Sequence, residues 1–283
     1  WLRKDRTETF VVDAEQPAEA LRAEIDARRI DTRAVAIGLS RAAVSVKPIE
    51  LPTVGGEMRD MVRFELDRHL PFPADDAPFD FVTLPPATGP GGAPAPAQVL
   101  VLAADRRVVD SALRIVQEAN LRPRSVTVAA HDLVWLVRPA QPQQVVWLHR
   151  AGEATDLLFL IGRRLVLSRR VNSIDDGVIV DEIRRSFAVA RWRNCDAVWA
   201  SGDFTAPGTP TTSPLADLGV PVTDPPFTPA IRRRLAALGA EARCPLVRRA
   251  ETHRCSVERG YGIATSCSER DVTSDSGRSR IGA

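Results

Sequence analysis

The chain has 283 residues, 44% hydrophobic and 26% charged, enough to bury one large core or two to three smaller ones. Its formal net charge of +2 lacks the strong bias that a nucleic-acid or membrane-surface partner demands. The four cysteines, Cys195, Cys244, Cys255 and Cys267, fit no zinc or redox spacing, which leaves free, reduced cytosolic thiols as the expectation.

Lys4 and Lys47 are the only lysines, so the basic charge is almost all arginine. No apolar run approaches the roughly 20 residues that span a bilayer. The best, Ala154 to Leu167, is broken by Arg163 and Arg164 and reads as two strands joined by a turn. Trp1-Leu2-Arg3-Lys4 opens no signal-type apolar core, and without a Met it reads as the start of a fragment or a processed chain.

In chain order, Ala18 to Arg29 has helical periodicity, with Leu21 and Ile25 at i, i+4 and Pro17 at the start. Two short β-branched runs, Ala34 to Ser40 and Ala43 to Leu51, read as strands joined through Arg41-Ala42 in a hairpin, with Pro48 placing the second at an edge or bulge. Glu57 to Leu70 carries an apolar stripe, Met58, Met61, Val62, Leu66 and Leu70, and Pro71 stops it. A strand follows at Phe79 to Leu84. The Pro85 to Pro96 stretch has nothing to bury and reads as a flexible hairpin loop.

Gln98 to Ala104 reads as a buried strand. Arg106 to Asn120 reads as a helix with Val109, Leu113 and Val116 on one face and Asn120 as its C-terminal cap. Ser125 to Ala130 is a strand candidate and the segment from His131 a short helix. Pro139 to Gln144 marks a boundary. Beyond it come three strands in succession, with a hairpin turn at Gly162-Arg163, and a helix from Asp175 or Asp176 to about Trp192. A strand ending near Gly202, a proline-rich loop, a short helix, the strand-like Gly219 to Val222 and a helix from Pro229 to Leu238 complete the periodic part. From about Glu241 the chain is polar and aperiodic, which predicts a disordered tail; a frameshifted or fragment end would look the same.

This element order predicts an α/β chain with mixed sheets. No Walker loop, G-x-G-x-x-G, H-E-x-x-H or G-x-S-x-G motif occurs. His69, His131, His149 and His253 stand singly, and no pair has the i, i+4 spacing of helical metal ligands. Asp75-Asp76 reads as solvated. Asp13, Asp105 and Asp156 lie near strand ends, where α/β folds place chemistry, yet none has a motif around it. The residues themselves offer no catalytic or metal site.

The segment Pro48 to Pro85, PIELPTVGGEMRDMVRFELDRHLPFPADDAPFDFVTLP, resembles the signature shared by the type IV pilus assembly protein PilM and the cytoplasmic part of type II secretion protein L. The resemblance rests on Leu51-Pro52, Glu65, Arg68, Leu70-Pro71-Phe72-Pro73 and Asp80, and continues through Asn120-Leu121-Arg122-Pro123. It covers about Phe10 to Ala240. It implies an actin-like, ribonuclease-H-like fold with an inserted small α/β subdomain. Residues 1–32 would be the remnant of the first lobe, its N-terminal strands missing. Residues 33–138 would be the small subdomain and the return to that lobe, residues 144–240 the second lobe, and residues 241–283 the disordered tail.

The resemblance also implies a nucleotide, ATP with Mg, between the lobes on two glycine-containing phosphate loops. The first loop would precede Trp1. At the second, Trp147 stands in place of the Asp and His149 in place of the Gly. Thr155, Asp156 and Gly202 remain of this eroded site. Glycine there lets backbone N–H groups approach phosphate, and an indole and an imidazole fill the space instead. The expectation is therefore no cofactor and no enzyme, which suits the secretion-type branch better than the pilus branch. Glu65, Arg68, Pro71, Phe72 and Asp80 are the expected partner-binding residues. The resemblance implies a cytoplasmic scaffold, peripheral at the inner-membrane face, that links the assembly ATPase to a bitopic membrane protein, PilN-like or secretion protein M-like. A homodimer is compatible with that role, and no nucleic acid is expected. The alternative is an actin-fold ATPase or kinase-like enzyme.

Overall fold

The structure is a computed structural model and describes residues 10–31, 33–51, 57–84, 96–138, 143–202, 214–229 and 231. The predicted tail, most of the Pro85 to Pro96 loop and most of the helix from Pro229 lie outside these residues.

Three sheets and their helices form two units that meet along a seam. In the first unit, α1 (Pro17–Ala27) precedes β1 (Ala34–Leu39), and a 3-10 turn (Arg41–Ala43) leads to β2 (Val44–Glu50). Next come α2 (Met58–Leu66), β3 (Phe79–Thr83), β4 (Gln98–Ala104), α3 (Arg106–Glu118), β5 (Arg122–Val128) and the short α4 (Ala129–Asp132).

β1 and β2 do not form the predicted hairpin. β1 pairs with β5 in parallel, while β2 pairs with β4 in an antiparallel sheet of order β2-β4-β3. Two reasons lie in the residues. Arg41-Ala42 contains no Gly, Asn or Asp to supply the positive φ of a two-residue hairpin, and Ser40 Oγ instead accepts from Ala42 N at 3.3 Å to start a helical turn. β1 is also apolar along most of its length, the pattern of a strand covered on both faces in a parallel pair. The small sheet thus begins at β2, and β1 belongs with β5.

β3 and β4 do form the expected antiparallel hairpin, and Pro48 sits on an edge strand where its missing N–H breaks no ladder. The small sheet is buried on both faces. Val44, Val46, Leu100 and Ala104 face β1, β5, α1 and α3, while Ile49, Leu51, Val99, Val101 and Ala103 face Val62 and Leu66 of α2.

Helices α1 and α3 end alike, with Arg29 (φ 53°) and Asn120 (φ 60°) left-handed and the next residue, Ile30 or Leu121, donating back into the last turn. Asn120 thereby acts as the predicted cap. The apolar residue that follows each reversal is buried and anchors the helix end.

The second unit is one five-stranded sheet of order β10-β9-β6-β7-β8, comprising β6 (Gln144–Ala151), β7 (Ala154–Ile161), β8 (Arg164–Val171), β9 (Ala197–Gly202) and β10 (Val222–Thr223). β6, β7 and β8 form the predicted antiparallel meander, with Gly152 (φ 60°) and Gly162 (φ 62°) in its turns. β9 lies parallel to β6 and β10. The crossover is α5 (Asp176–Ala190), capped by Asp175 Oδ1, which accepts from Val178 N at 2.9 Å.

α5 covers one sheet face through Ile179, Val180 and Ile183. Ala130, Leu133, Val134 and Val137 of the first half cover the other, against Trp147, Leu158, Leu160 and Trp199. Coverage on both faces explains why β6 and β7 read as continuous apolar runs. Leu84 and Leu165 each pack into a core of both units, so the seam is apolar as well as polar.

Candidate functional site

β6 and β9 run parallel, so their C-terminal ends at Arg150 and Gly202 form the sheet edge where α/β folds place ligands. Strand register sets the residues there in two rows. One reads Gly202, Arg150, Thr155, Val171 across β9, β6, β7 and β8; the next reads Ser201, His149, Asp156, Arg170. The structure therefore brings Thr155, Asp156 and Gly202 together at one end of one sheet.

Each of the three is already engaged by the protein itself. Thr155 is fully buried, and its Oγ1 donates to the Ser173 carbonyl at 3.0 Å, pinning the turn before α5. Asp156 accepts from Arg170 Nη1 at 3.2 Å. Burial raises the Asp156 carboxyl above the usual aspartate range, against the opposing pull of Arg170 and Arg41. Gly202 has φ 86°, and a Cβ placed on it would stand 2.0 Å from the Arg150 carbonyl oxygen. Its lack of a side chain is thus required by the approach of β6.

Where the resemblance calls for Asp and Gly, Trp147 is fully buried and His149 nearly so. Trp147 Nε1 donates to Ser201 Oγ at 2.8 Å, and His149 Nδ1 lies 3.1 Å from the same oxygen. Trp147 packs edge-on to Trp199 and Phe227, with ring centroids 5.6 and 6.1 Å apart. Beside them Arg150 pairs with Asp176 at 3.1 Å and donates to the Ile174 carbonyl. These side chains do not fit a nucleotide phosphate: the glycine space is occupied by an imidazole, and the Asp is replaced by an indole inside a hydrophobic core. Among the described residues no group of three or more His, Cys, Asp or Glu could hold a metal ion.

Sequence reading missed two residues at the seam, Arg41 and His131, because neither sits in a motif. Arg41 is largely buried beside Asp156. Loss of hydration, opposed by Asp156 and aided by Arg169 and Arg170, lowers it to about 10. His131 lies near Arg41 with neither ring nitrogen partnered among the described residues. Burial foremost, then Arg41, lowers it from 6.5 to about 3, so the imidazole is neutral at physiological pH.

A depressed histidine costs stability in acid, since the unfolded chain takes up a proton below about 6.5 that the folded chain refuses down to about 3. Stability should fall by about 1.4 kcal/mol per pH unit below 6.5, or roughly 2 kcal/mol by pH 5. Asp132 and Asp156, both raised by burial, act in the opposite sense at lower pH. Comparing wild type with His131→Leu cancels those carboxyls. The variant's melting temperature should fall less between pH 7 and 5, and parallel curves would refute the assignment.

The expected partner-binding residues lie on the small sheet's α2 side. Arg68 and Glu65 form an i, i+3 pair at 3.3 Å at the end of α2. Phe72, beyond Pro71, packs into the core between α2 and the sheet. Asp80 on edge strand β3 is exposed, and its Oδ1 accepts from Phe81 N and lies 3.9 Å from Arg59. Arg59 also stacks over Phe79, with its guanidinium carbon 4.7 Å from the ring centroid. Exposed pairs of this kind contribute little to stability. Phe72 acts as a core residue, which leaves Asp80, the exposed Pro71 and the Glu65–Arg68 pair as the accessible part of the set.

Residues 2–141 match the family of type IV pilus assembly protein PilM. Among solved structures, a "PilM-PilN type IV pilus biogenesis complex" aligns with a TM-score of 0.60 at 23% identity, covering 81% of this chain and 82% of that one. A protein from Bacteroides thetaiotaomicron VPI-5482, described as having an actin-like ATPase fold and unknown function, aligns at 11% identity and a TM-score of 0.46, covering 77% and 80% of the two chains. No curated protein matches the sequence. The family match falls on the pilus side, whereas the eroded phosphate loop had pointed to the secretion-type branch. The sheets thus share the fold of the PilM complex, and residues 2–141 are similar to the family of type IV pilus assembly protein PilM.

Proposed function

We propose that the chain is a non-catalytic scaffold of type IV pilus assembly at the cytoplasmic face of the inner membrane. It would link a PilN-like bitopic membrane protein to the assembly ATPase. The observation that carries the reading is the filled phosphate-loop position. Trp147 and His149 share Ser201 Oγ, while Thr155 and Asp156 are bonded within the protein. The PilM family match and the PilM-PilN complex among similar structures support the pilus setting and the PilN-like partner. Among the described residues no helix is long and apolar enough to cross a membrane.

Calorimetric titration of the whole chain with ATP and Mg²⁺ should give no heat of binding. A dissociation constant tighter than about 10 μM, near −7 kcal/mol, would instead favour an actin-fold ATPase. A peptide from the cytosolic N-terminus of a PilN-like protein should be retained on the immobilised chain, and Asp80→Arg should reduce that retention. No binding at high micromolar peptide would rule out the PilN-like link.

A further inference from the structure

We infer that Arg41 is the fixed cross-seam key of this protein, setting the two units against each other through the chain's own hydrogen bonds rather than through a ligand seated between them. Arg41 opens the 3-10 turn at the corner between β1 and β2, where the first unit's two sheets diverge. Its Nη1 donates to the Val44 carbonyl at 2.6 Å, which holds the guanidinium to its own corner. Its Nε donates to Ser168 Oγ at 2.8 Å, and its Nη2 to the Ser168 carbonyl at 3.0 Å. One planar fork therefore grips both the side chain and the backbone of a residue 127 positions ahead, on β8.

Ser168 is fully buried, so these bonds are sheltered from water. Asp156 on the neighbouring strand β7 offsets the buried positive charge, and Arg170 holds Asp156 in turn. Hydrogen bonds from a charged donor are stronger than neutral ones, and a rigid guanidinium loses less freedom per bond formed than a lysine would. At the far end of β2, Glu50 accepts from Arg191, the residue that closes α5, and so makes a second tie across the same seam. That pair is about half exposed and contributes less.

The inference rests on the reading that no nucleotide sets the seam, and the following experiment separates the two. Hydrogen exchange by mass spectrometry is followed on the full chain, on Arg41→Met and on Ser168→Ala, each with and without millimolar ATP and Mg²⁺. Arg41→Met should speed exchange about tenfold or more in peptides covering residues 40–50 and 164–171, with α3 unchanged. Ser168→Ala should give a smaller rise in the same peptides, because the Ser168 carbonyl still accepts. If Arg41→Met loosens α3 as well and so unfolds globally, Ser168→Ala decides alone. Unchanged exchange in the deciding variant overturns the inference and leaves the scaffold reading intact. ATP that binds without slowing wild-type exchange overturns the scaffold reading only. ATP that slows exchange at the seam overturns both.

Discussion

Trp147→Ala should destabilise the protein by about 3–5 kcal/mol, lowering its melting temperature by roughly 10 °C or more in circular dichroism. The indole is fully buried among Leu158, Leu160, Leu133 and Trp199, so its removal leaves a cavity that two strands and the segment after α4 cannot collapse to fill. Trp147→Phe separates packing from polarity. It keeps most of the ring contacts but takes away the donor to Ser201 Oγ, and His149 remains beside that oxygen, so a loss of about 1 kcal/mol is expected. Trp147→Asp would install the residue type that the phosphate loop of nucleotide-binding relatives calls for. A carboxylate there would sit in the core without a charge partner among its packed neighbours, and the fold should fail before any nucleotide binds. A soluble, cooperatively folding Trp147→Asp protein would show that the indole is incidental to the core.

That contrast bears on what the residues revealed on first reading. The helix and strand identities of most elements followed from periodicity and punctuation. The stripe Met58, Met61, Val62, Leu66 and Leu70, for example, does pack Val62 and Leu66 under the small sheet, although α2 ends at Leu66. Pairing was less legible. The connection through Arg41-Ala42 is short enough for a hairpin, and only the absence of a residue suited to positive φ argues against one. The partners of β1 and β2, β5 and β4, lie some 50 to 90 residues away and leave no local trace.

The candidate site was legible as an erosion, since Trp147 and His149 occupy positions where the resemblance calls for Asp and Gly. What replaces the missing chemistry was not legible. Arg41, His131 and Ser168 belong to three separate segments, and their meeting depends on tertiary packing that no spacing rule encodes. Gly202 carries a second reason for glycine that no spacing reveals, because a Cβ there would meet the Arg150 carbonyl oxygen.

Gly202→Ala tests that second account and should be among the most damaging single substitutions in the second unit. The new Cβ would stand 2.0 Å from the Arg150 carbonyl oxygen and 2.9 Å from its carbon, both backbone atoms that no rotamer change can move. Relief requires β9 to part from β6 where the two strands are in register at Gly202 and Arg150. The residue also holds φ 86°, which alanine adopts only at a cost of about 1 kcal/mol. Together with overpacking of about 1–3 kcal/mol, the expected loss is roughly 2–4 kcal/mol. Exchange should rise first at residues 197–202, before α5 is affected. A glycine kept only to let phosphate approach would behave differently, because its replacement would leave the melting temperature of the unliganded chain unchanged. A shift under about 2 °C would therefore restore the ligand account of Gly202, and a large shift with no ATP binding in either protein would assign it to the joining of β6 and β9.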